Sequence, residues 1–568
     1  MNRNRHFLWV ILLIAVSLIL GFNAGKFYRP GGLQFKMLRS GQNKINEALD
    51  IIGQNYVDTV DINRLAESAV DRIVSELDPH SSYIPASDVD AAKEDLEASF
   101  SGIGIQFNMP LDTLLVISVI SDSPAEKAGL MPFDRIITVN DSTVAGREIG
   151  TTKIMRMLRG PKDSKVRLGI QRGNAEQLTE FELTRGDIPN HSVDVSYKVN
   201  EHTGYIKITK FSRSTYNEFL TAVAKLKQEG AEGLIIDLRD NPGGYMESAI
   251  NVINEFLPKG RLIVYMEGRS YPRLDSYSNG KGACQDVPVV VLINELSGSA
   301  SEIFSGAIQD NDRGTIIGRR SYGKGLVQTK LDLSDRSELL LTIARYYTPS
   351  GRCIQKEYEL GKSEEYSQDL SIRFMHGEFY SADSIKMVDS LEYRTAGGRP
   401  VFGGGGIMPD IFIPSDTTGI TSYYSSVVNT GVLYQFSLVY SDKNNDKLKS
   451  FASYRELYEY LQQQPLSYEF ADYAASKGIK KRPTLMSISR DLIETQLYAY
   501  IVRNFFKYEG FYPILLQNDA ALKKAIEIIS EGQWKPEARG LHDTGNDPSC
   551  SVEIPGQAIR KPLYAEAG

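Results

Sequence analysis

The spacing of apolar residues divides the chain into helical and strand-forming stretches. Between residues 36 and 78 the apolar positions recur at helical spacing, and Asp78-Pro79 ends the second of two predicted helices. Short strand-like runs follow from about residue 101. Residues 203–347 then alternate strands with helices, and helical spacing returns from residue 451. The pattern predicts an α/β core with a parallel-rich sheet, preceded by a helical module and a β-rich domain and followed by a helical extension.

The most apolar stretch of this core, residues 289–293, predicts a strand buried on both faces. A helix is predicted to begin directly after it, within Ser297-Gly-Ser-Ala-Ser-Glu302, and a second short strand leads to the glycine-flanked Lys324. A parallel return between the two strands brings Lys324 beside the serine turn. Because a helix N-terminus offers free N–H groups to a developing negative charge, the turn is a candidate for nucleophilic chemistry. Ser299 with Glu302 is equally the pattern of a capping box, which implies no catalysis.

Together these patterns divide the 568 residues into six segments. They are an N-terminal signal anchor at residues 1–30, a helical module at 36–95, a β-rich domain at 97–186, the α/β core at 190–415 with a cap or arm at 355–400, a helical C-terminal extension at 416–533, and a disordered tail at 534–568. The tail is assigned from its proline, glycine and charged residues and from its lack of apolar periodicity.

The N-terminal segment has the charge pattern of an exported protein. Two arginines precede an apolar run from residue 7 to residue 22, which is typical of a signal sequence or membrane anchor. Because Phe22-Asn23-Ala24 is a poor cleavage site, we expect the run to remain as a single-pass anchor in the inner, or cell, membrane. The positive charges place the N-terminus inside, so the rest of the chain is expected in the periplasm or another extracytoplasmic space.

Overall composition excludes several classes of function. A net charge of −7 and a pI near 5.7 are not those of a basic, nucleic-acid-binding protein. The three cysteines and six histidines lack the spacing of zinc ligands, so we expect no metal and no cofactor.

A glycine loop opens the β-rich domain. Successive N–H groups in such a loop, beside a strand edge, can hold the terminal carboxylate of a peptide. The loop, with Ser123-Pro-Ala-Glu-Lys-Ala-Gly-Leu130 and Asp134-Arg-Ile-Ile-Thr-Val-Asn140 after it, resembles a PDZ domain over about residues 97–185. The substrate-binding residues that this resemblance implies are Gly102, Ile103, Gly104 and Ile105.

The order of the motifs resembles the carboxyl-terminal processing peptidases, or tail-specific proteases. The resemblance covers about residues 40–415 and rests on the PDZ-like domain and four motifs: Leu77-Asp-Pro-His-Ser-Ser-Tyr83, Asp237-Leu-Arg-Asp-Asn-Pro-Gly-Gly244, Ser297-Gly-Ser-Ala-Ser-Glu302 and Tyr322-Gly-Lys-Gly-Leu-Val-Gln328. It implies a serine endopeptidase that recognises the unstructured C-terminal tails of extracytoplasmic proteins through its PDZ domain.

The resemblance also implies roles for individual residues. Ser299 matches the nucleophile of a Ser-Lys dyad, and Lys324 matches the base. Gln328 matches a glutamine that orients the lysine without adding charge. The implied oxyanion hole consists of N–H groups from Ala300 and from a glycine in Gly243-Gly244.

A lysine can act as a base only in a particular environment. An exposed lysine is protonated at neutral pH, so the dyad requires burial that lowers the pKa of Lys324 toward neutrality. Separately, Arg159 in Leu158-Arg-Gly-Pro161 is a candidate for coupling the PDZ-like domain to the site.

Two other classes of function stay open at this point. An inactive PDZ scaffold would bind tails without cutting them, although the complete dyad and its glutamine argue against it. A penicillin-binding type of acyltransferase would use Ser321, because Ser321-Tyr-Gly-Lys324 is a Ser-x-x-Lys match, but Ser278-Asn-Gly-Lys281 matches equally well. A homodimer formed through the helical extension and a regulatory adaptor are both compatible with the sequence.

Overall fold

The computed structural model describes residues 39–535 apart from 90, 91, 93–95, 110–112, 121, 148, 174, 176 and 386–390. The expected membrane anchor at residues 1–30 lies outside the described residues, and so does the expected tail beyond residue 535. No helix in the described part of the chain combines the length and the apolar composition that crossing a bilayer requires.

The described chain begins with two amphipathic helices, α1 (Arg39–Asn55) and α2 (Ile62–Ser75). Asp61 caps α2, because its carboxylate accepts a hydrogen bond from the Arg64 N–H at 3.1 Å. The next element, β1 (Ser82–Ile84), leaves this module and pairs antiparallel with residues 338–340 of the core. Within the predicted helical module, β1 therefore adds a strand to a sheet of the core.

A β-rich domain follows. Its elements are β2 (Ser99–Gly102), β3 (Ile105–Asn108), β4 (Leu114–Val119), α3 (Pro124–Ala128), β5 (Arg135–Val139), β6 (Ser142–Thr143), α4 (Thr151–Leu158), β7 (Lys165–Gln171), β8 (Thr179–Thr184) and β9 (Gly186–Pro189). β2 pairs with β9 where the domain leaves and rejoins the core. The other strands form an antiparallel sheet in the order β3-β4-β5-β7-β8, with β6 beside β5. Among the described strands, β3 therefore has one open edge.

The core alternates strands and helices as its sequence predicts. In chain order it contains β10 (Val193–Lys198), β11 (Thr203–Ile208), α5 (Thr215–Gln228), β12 (Gly233–Asp237), α6 (Met246–Asn254), β13 (Leu262–Glu267), β14 (Leu274–Tyr277), β15 (Val289–Ile293), α7 (Ala300–Asp310), β16 (Thr315–Gly318), β17 (Leu326–Asp332) and β18 (Glu338–Tyr347). An arm follows, with α8 (Ser363–Met375), a 3₁₀ turn (Ala382–Ser384), β19 (Glu392–Arg394) and β20 (Pro400–Phe402). The chain then returns to the core as β21 (Ile411–Phe412).

The main core sheet has the strand order β10-β11-β12-β15-β16-β21. β10 and β11 are antiparallel, and all the other neighbours are parallel. Every residue of β15 is buried, as its apolar sequence predicts. Because parallel strands end at the same edge, the turns after β12, β15 and β16 meet there.

A second, antiparallel sheet supplies the other side of the site. Its order is β1-β18-β13-β14, with β17 also pairing with β18. β17 follows the Lys324 loop, and a register irregularity between Val327 and Gln328 marks a bulge in this pairing.

The C-terminal part of the described chain is helical. Its helices are α9 (Ser422–Asn429), α10 (Val432–Lys443), α11 (Asn445–Leu448), α12 (Tyr454–Gln462), α13 (Leu466–Ser476), α14 (Pro483–Ile488), α15 (Arg490–Leu515) and α16 (Ala520–Ser530). We refer to α9–α15, residues 422–515, as the helical domain, because these helices share an apolar core of their own.

Helix α16 is part of the core and not of the extension. Its residues Leu522, Ala525 and Ile528 pack against the sheet face opposite α5, α6 and α7. Trp534, which we predicted as the start of a disordered tail, packs against the same cluster, and its carbonyl accepts a hydrogen bond from Thr315 Oγ1 at 2.8 Å. These contacts have one physical reason: a parallel sheet needs apolar cover on both faces, and α16 covers the second face.

Candidate active site

Ser299 lies at the turn where β15 ends and α7 begins. Its backbone has φ 54° and ψ −114°, a conformation that residues other than glycine rarely adopt. The two neighbouring serines anchor this turn, since the Ser297 hydroxyl donates to the Leu238 carbonyl at 2.8 Å and the Ser301 hydroxyl to the Asn241 carbonyl at 3.0 Å. The Ser299 hydroxyl is half-buried and donates to no acceptor among the described residues. Of the three serines, Ser299 is therefore the one with an available hydroxyl.

Lys324 lies in the glycine loop between β16 and β17. Its amine donates to Gln328 Oε1 at 3.1 Å, and the Gln328 amide donates in turn to the His80 carbonyl at 2.5 Å. This second bond fixes the amide with its oxygen toward Lys324. Burial lowers the pKa of Lys324, although the carboxylates of Glu302 and Asp78 oppose this. The amine therefore loses its proton more easily than the amine of an exposed lysine.

The fully buried carboxylate of Glu302 joins the serine turn to the lysine loop. Its Oε2 accepts hydrogen bonds from the Ser299 N–H at 2.7 Å and the Lys324 N–H at 2.9 Å. Its Oε1 accepts from the Ser321 hydroxyl at 2.5 Å and the Gly323 N–H at 2.7 Å. Burial raises the pKa of Glu302 to about 7, although these donors favour the charged form. Glu302 therefore caps α7 and also aligns the two loops.

Tyr346 on β18 provides a second link between the same two loops. Its hydroxyl lies 3.0 Å from the Ser299 carbonyl oxygen and also contacts the Lys324 carbonyl oxygen. Because a hydroxyl has one proton, it donates to one of these carbonyls at a time. The structure thus brings Ser299 and Lys324 together through their backbones, while Ser299 Oγ and Lys324 Nζ make no hydrogen bond with each other.

The predicted oxyanion residues surround the serine turn. A methyl group added at Gly243 would lie 2.7 Å from Ser299 Cβ and 2.9 Å from the Ala300 nitrogen, so this backbone packs directly on the turn. The Gly243 N–H donates to Asn241 Oδ1 at 2.9 Å. The N–H groups of Gly244 and Ala300 donate to no acceptor in the described part of the chain. Of the two glycines, Gly244 is therefore the one whose N–H is available.

Buried charges support the glycine turn from the end of β12. The Asp237 carboxylate is paired with Arg239 at 2.6 Å and with Lys207 at 3.2 Å, and Arg239 also reaches Asp519 before α16 at 2.7 Å. Burial disfavours the charged form of Asp237, but the guanidinium of Arg239 and the amine of Lys207 hold its pKa below the usual range. The Asp-Leu-Arg part of the motif is thus structural support for the turn.

The PDZ-like loop lies beside the open edge of β3. Gly102 ends β2, Ile105 begins β3, and Ile103 between them is buried in the core of the domain. Gly104 has φ 83°, and a methyl group there would lie 2.2 Å from Ser123 Cβ, so only glycine fits. The loop therefore has the position that capture of a peptide end requires.

Arg159 lies at the C-terminal end of α4, and its guanidinium is 4.5 Å from the ring centroid of Phe100 on β2. β2 is one of the two strands at which the domain joins the core. The contact is thus at the connection between the two domains, and the coupling role of Arg159 stays a prediction.

The serines of the alternative Ser-x-x-Lys matches are buried and engaged. The Ser321 hydroxyl donates to Glu302 and accepts from the Ile407 N–H at 2.6 Å. The Ser278 hydroxyl donates to the Pro258 carbonyl at 2.5 Å. Neither serine can attack a substrate without breaking these bonds, which argues against an acyltransferase of the penicillin-binding type.

Several supporting residues have no clear signal in the sequence. The Ser-x-x-Glu pattern predicts a cap at Glu302 but no contact with the lysine loop. Tyr346 is the last residue but one of the long strand β18, and no motif marks it. His80 lies in the motif of residues 77–83, but its role is carried by its backbone carbonyl. The described cysteines, Cys284 and Cys353, are free thiols, and the described residues contain no group of three or more metal ligands.

These features are those of a serine peptidase that carries a PDZ domain, and sequence profiles agree. The profile of peptidase family S41 matches residues 202–361, and a PDZ domain profile matches residues 101–183. The N-terminal domain of the activating protease CtpB matches residues 33–87. A family of unknown function matches residues 423–507.

Similar proteins establish the family. The chain is 30% identical over 389 residues to a probable CtpA-like serine protease of Staphylococcus haemolyticus, with 67% of this chain and 77% of that protein covered. It is 35% identical over 353 residues to the carboxy-terminal processing protease CtpB of Bacillus subtilis, with 62% of this chain and 71% of that protein covered. Among solved structures, a photosystem II D1 C-terminal processing protease is 27% identical. The match covers 56% of this chain and 90% of that chain, with a TM-score of 0.33. The chain belongs to peptidase family S41 and is a C-terminal processing serine protease, which confirms the expected family and fold class.

We expect Glu302→Gln to destabilise the protein and to slow cleavage. The glutamine amide would face hydrogen-bond donors in place of a carboxylate oxygen, which leaves buried donors unpaired and lowers the free energy of unfolding by about 2 to 4 kcal/mol. Because the lost contacts align Ser299 with Lys324, kcat/KM for a peptide should fall about 10- to 100-fold. Urea unfolding and peptide cleavage measure the two effects. Exposed Glu247→Gln is the control, and unchanged kcat/KM in Glu302→Gln would contradict the aligning role.

Proposed function

We propose that this protease is a membrane-anchored endopeptidase of the extracytoplasmic space, which captures unstructured C-terminal tails through its PDZ domain and cleaves them with Ser299 and Lys324. The observation that carries the proposal is the position of Lys324. Its buried amine is held by Gln328, and its loop is joined to the Ser299 turn through Glu302. An amine with a lowered pKa, next to a serine whose hydroxyl is available, suits proton abstraction.

The first chemical step is attack by the serine. Lys324 Nζ takes the proton of the Ser299 hydroxyl as Oγ bonds to the scissile carbonyl carbon, which requires Oγ to come within hydrogen-bonding distance of the amine. Negative charge develops on the carbonyl oxygen. The available N–H groups of Gly244 and Ala300 and the positive end of α7 stabilise this charge.

The second stage releases the two products. The protonated Lys324 gives its proton to the leaving amine, and an acyl-enzyme forms on the N-terminal part of the substrate. Lys324, now neutral, deprotonates a water molecule that attacks the ester, and Ser299 recovers its proton. Gln328 accepts a hydrogen bond from the amine and keeps it oriented without adding a charge.

Tail capture is supported by the glycine loop and by the open edge of β3. An incoming tail extends the sheet beside β3, and the loop at residues 102–105 receives its terminal carboxylate. Amidation of the tail removes a charge-assisted hydrogen bond worth about 1.5 to 3 kcal/mol, so KM should rise about 10- to 100-fold with kcat unchanged. Steady-state cleavage of an unfolded protein with a free or an amidated C-terminus makes this comparison, with the full chain in detergent. Equal KM values would remove carboxylate recognition from the proposal.

The membrane location rests on the N-terminal sequence. A basic start followed by an apolar run predicts an anchor with the catalytic part outside the cytoplasm. The protein should sediment with membranes after carbonate extraction and should be digested by an external protease in spheroplasts. Recovery in the soluble fraction would rule out the anchor.

A further inference from the structure

The PDZ domain is covered on a face that antiparallel sheets commonly leave to solvent. In β4, Leu114 and Val116 belong to the core of the domain, while Leu115 and Ile117 point to the other side. Leu115, Ile117 and Phe133 form a separate apolar cluster with Tyr434 and Leu438 of α10 and Phe505 of α15. The Phe133 and Phe505 rings are 5.9 Å apart between centroids. The PDZ domain therefore has a packed interface with the helical domain.

A charged pair adds specificity to this interface. Arg135 on β5 forms an ion pair with Asp442 on α10. Both side chains are largely buried, with 30% and 24% of their surfaces exposed. Arg135 lies opposite Leu115 in the sheet, so the ion pair is at the edge of the apolar cluster.

The helical domain is also fixed to the peptidase core. Beyond Phe505, the Tyr512 hydroxyl of α15 donates to Asp194 on β10 at 2.9 Å, and Glu509 is paired with Lys225 on α5 at 3.4 Å. Between the PDZ contact and the core contacts the backbone of α15 leaves the helical conformation, with φ 51° and ψ −148° at Lys507. One kinked helix thus contacts the PDZ domain on one side and the core on the other.

We infer that the helical domain is a strut that holds the PDZ domain in a fixed position relative to Ser299, so that a captured tail is delivered to the cleavage site. The PDZ domain joins the core through two chain crossings near β2 and β9, and an arrangement of this kind permits rotation by default. The contact with the helical domain is a third attachment, and it acts on β4, the neighbour of the tail-binding strand β3. The role in delivery rests on the proposed function. It assigns a task to residues 423–507, the region that matches a family of unknown function.

Charge reversal tests the strut with little change in packing. We expect Arg135→Asp and Asp442→Arg each to lower kcat/KM about 10-fold for a tail-bearing protein, because a loosened PDZ domain presents its tail to Ser299 at a lower effective concentration. A short peptide without a recognised tail should be cleaved at the rate of the unmodified protein. The double reversal should restore cleavage of the tail-bearing protein. The control is Arg167→Asp, which breaks an exposed PDZ ion pair with Asp141 and should change neither rate.

Hydrogen exchange measures the contact between the PDZ domain and the helical domain independently of catalysis. In a Ser299→Ala background, the amides of β4 should exchange faster in each single reversal and return to normal in the double. Leu438→Asp, which puts a charge into the apolar cluster, is a second way to open the contact. Any one of three results would overturn the strut. The first is unchanged exchange of the β4 amides in all of these variants. The second is faster exchange while the tail-bearing protein and the short peptide are still cleaved at their original rates, and the third is an equal loss of cleavage for both substrates.

Discussion

Ser299→Ala should lower the rate of cleavage of an unfolded, tail-bearing protein by at least about 10³-fold, because this hydroxyl forms the covalent bond to the substrate. The residual rate would come from water attacking a substrate that the oxyanion donors still polarise. Ser299→Ala keeps the backbone contacts with Glu302 and Tyr346, so the fold should be retained. Mass spectra of the products, with the full chain in detergent micelles, measure the loss and locate the cleavage sites.

Two neighbouring serines serve as matched controls. Ser297→Ala and Ser321→Ala each remove a buried hydroxyl that donates one hydrogen bond and accepts another from a backbone N–H, which costs about 1 to 3 kcal/mol of stability and should leave most of the activity. Activity lost in Ser321→Ala and kept in Ser299→Ala would restore the acyltransferase type of mechanism. An unmodified protein that binds tails without cutting them would favour a scaffold.

Local patterns predict elements well where a single segment decides the structure. The apolar run of β15 and the helix start after it are read directly from residues 289–302, because burial on both faces and a cap are local properties. The position of α16 is different. Its apolar face could pack equally well within a helical extension or against the core sheet. Only the assembled sheet determines which surface the helix covers. β1 is similar, since its partner lies more than 250 residues away in the chain.

The residues of the active site also fall into two groups, those that a local motif predicts and those that only the folded structure brings to the site. Ser299, Lys324 and Gln328 stand in motifs and can be proposed from the sequence. Glu302 aligns two loops because it meets the lysine loop in space, and Tyr346 reaches both loops from another sheet. The difference between Gly243 and Gly244 depends on the Asn241 side chain, which no pattern predicts. Backbone donors and carbonyls do most of the aligning, and these groups are the same in every residue, so sequence motifs do not reveal them.

The pH dependence of cleavage should follow the protonation of Lys324. Below its pKa the amine is charged and cannot accept the Ser299 proton, so kcat/KM should rise as the pH rises through that pKa. Burial lowers the pKa of Lys324, so the rise should lie below the pH at which an exposed lysine titrates. Protonation of Glu302, whose pKa is about 7, acts in the same direction by weakening the alignment. If the Glu302→Gln enzyme keeps the rise of kcat/KM with pH, the rise is due to Lys324.

Lys324→Met should lower kcat/KM by at least about 10³-fold and remove the rise with pH, because the thioether fills the space of the lysine stem but cannot take a proton. Lys324→Arg should also be inactive at every accessible pH, since a guanidinium stays protonated. Stability should hold in Lys324→Met or increase slightly, because a buried amine that is costly to charge is replaced by an apolar group. The exposed Lys330→Met on β17, the strand that follows the Lys324 loop, is the control and should cleave normally. Measured kcat/KM against pH for the three variants decides the matter: a Lys324→Met enzyme with the original pH profile would show that another group accepts the serine proton.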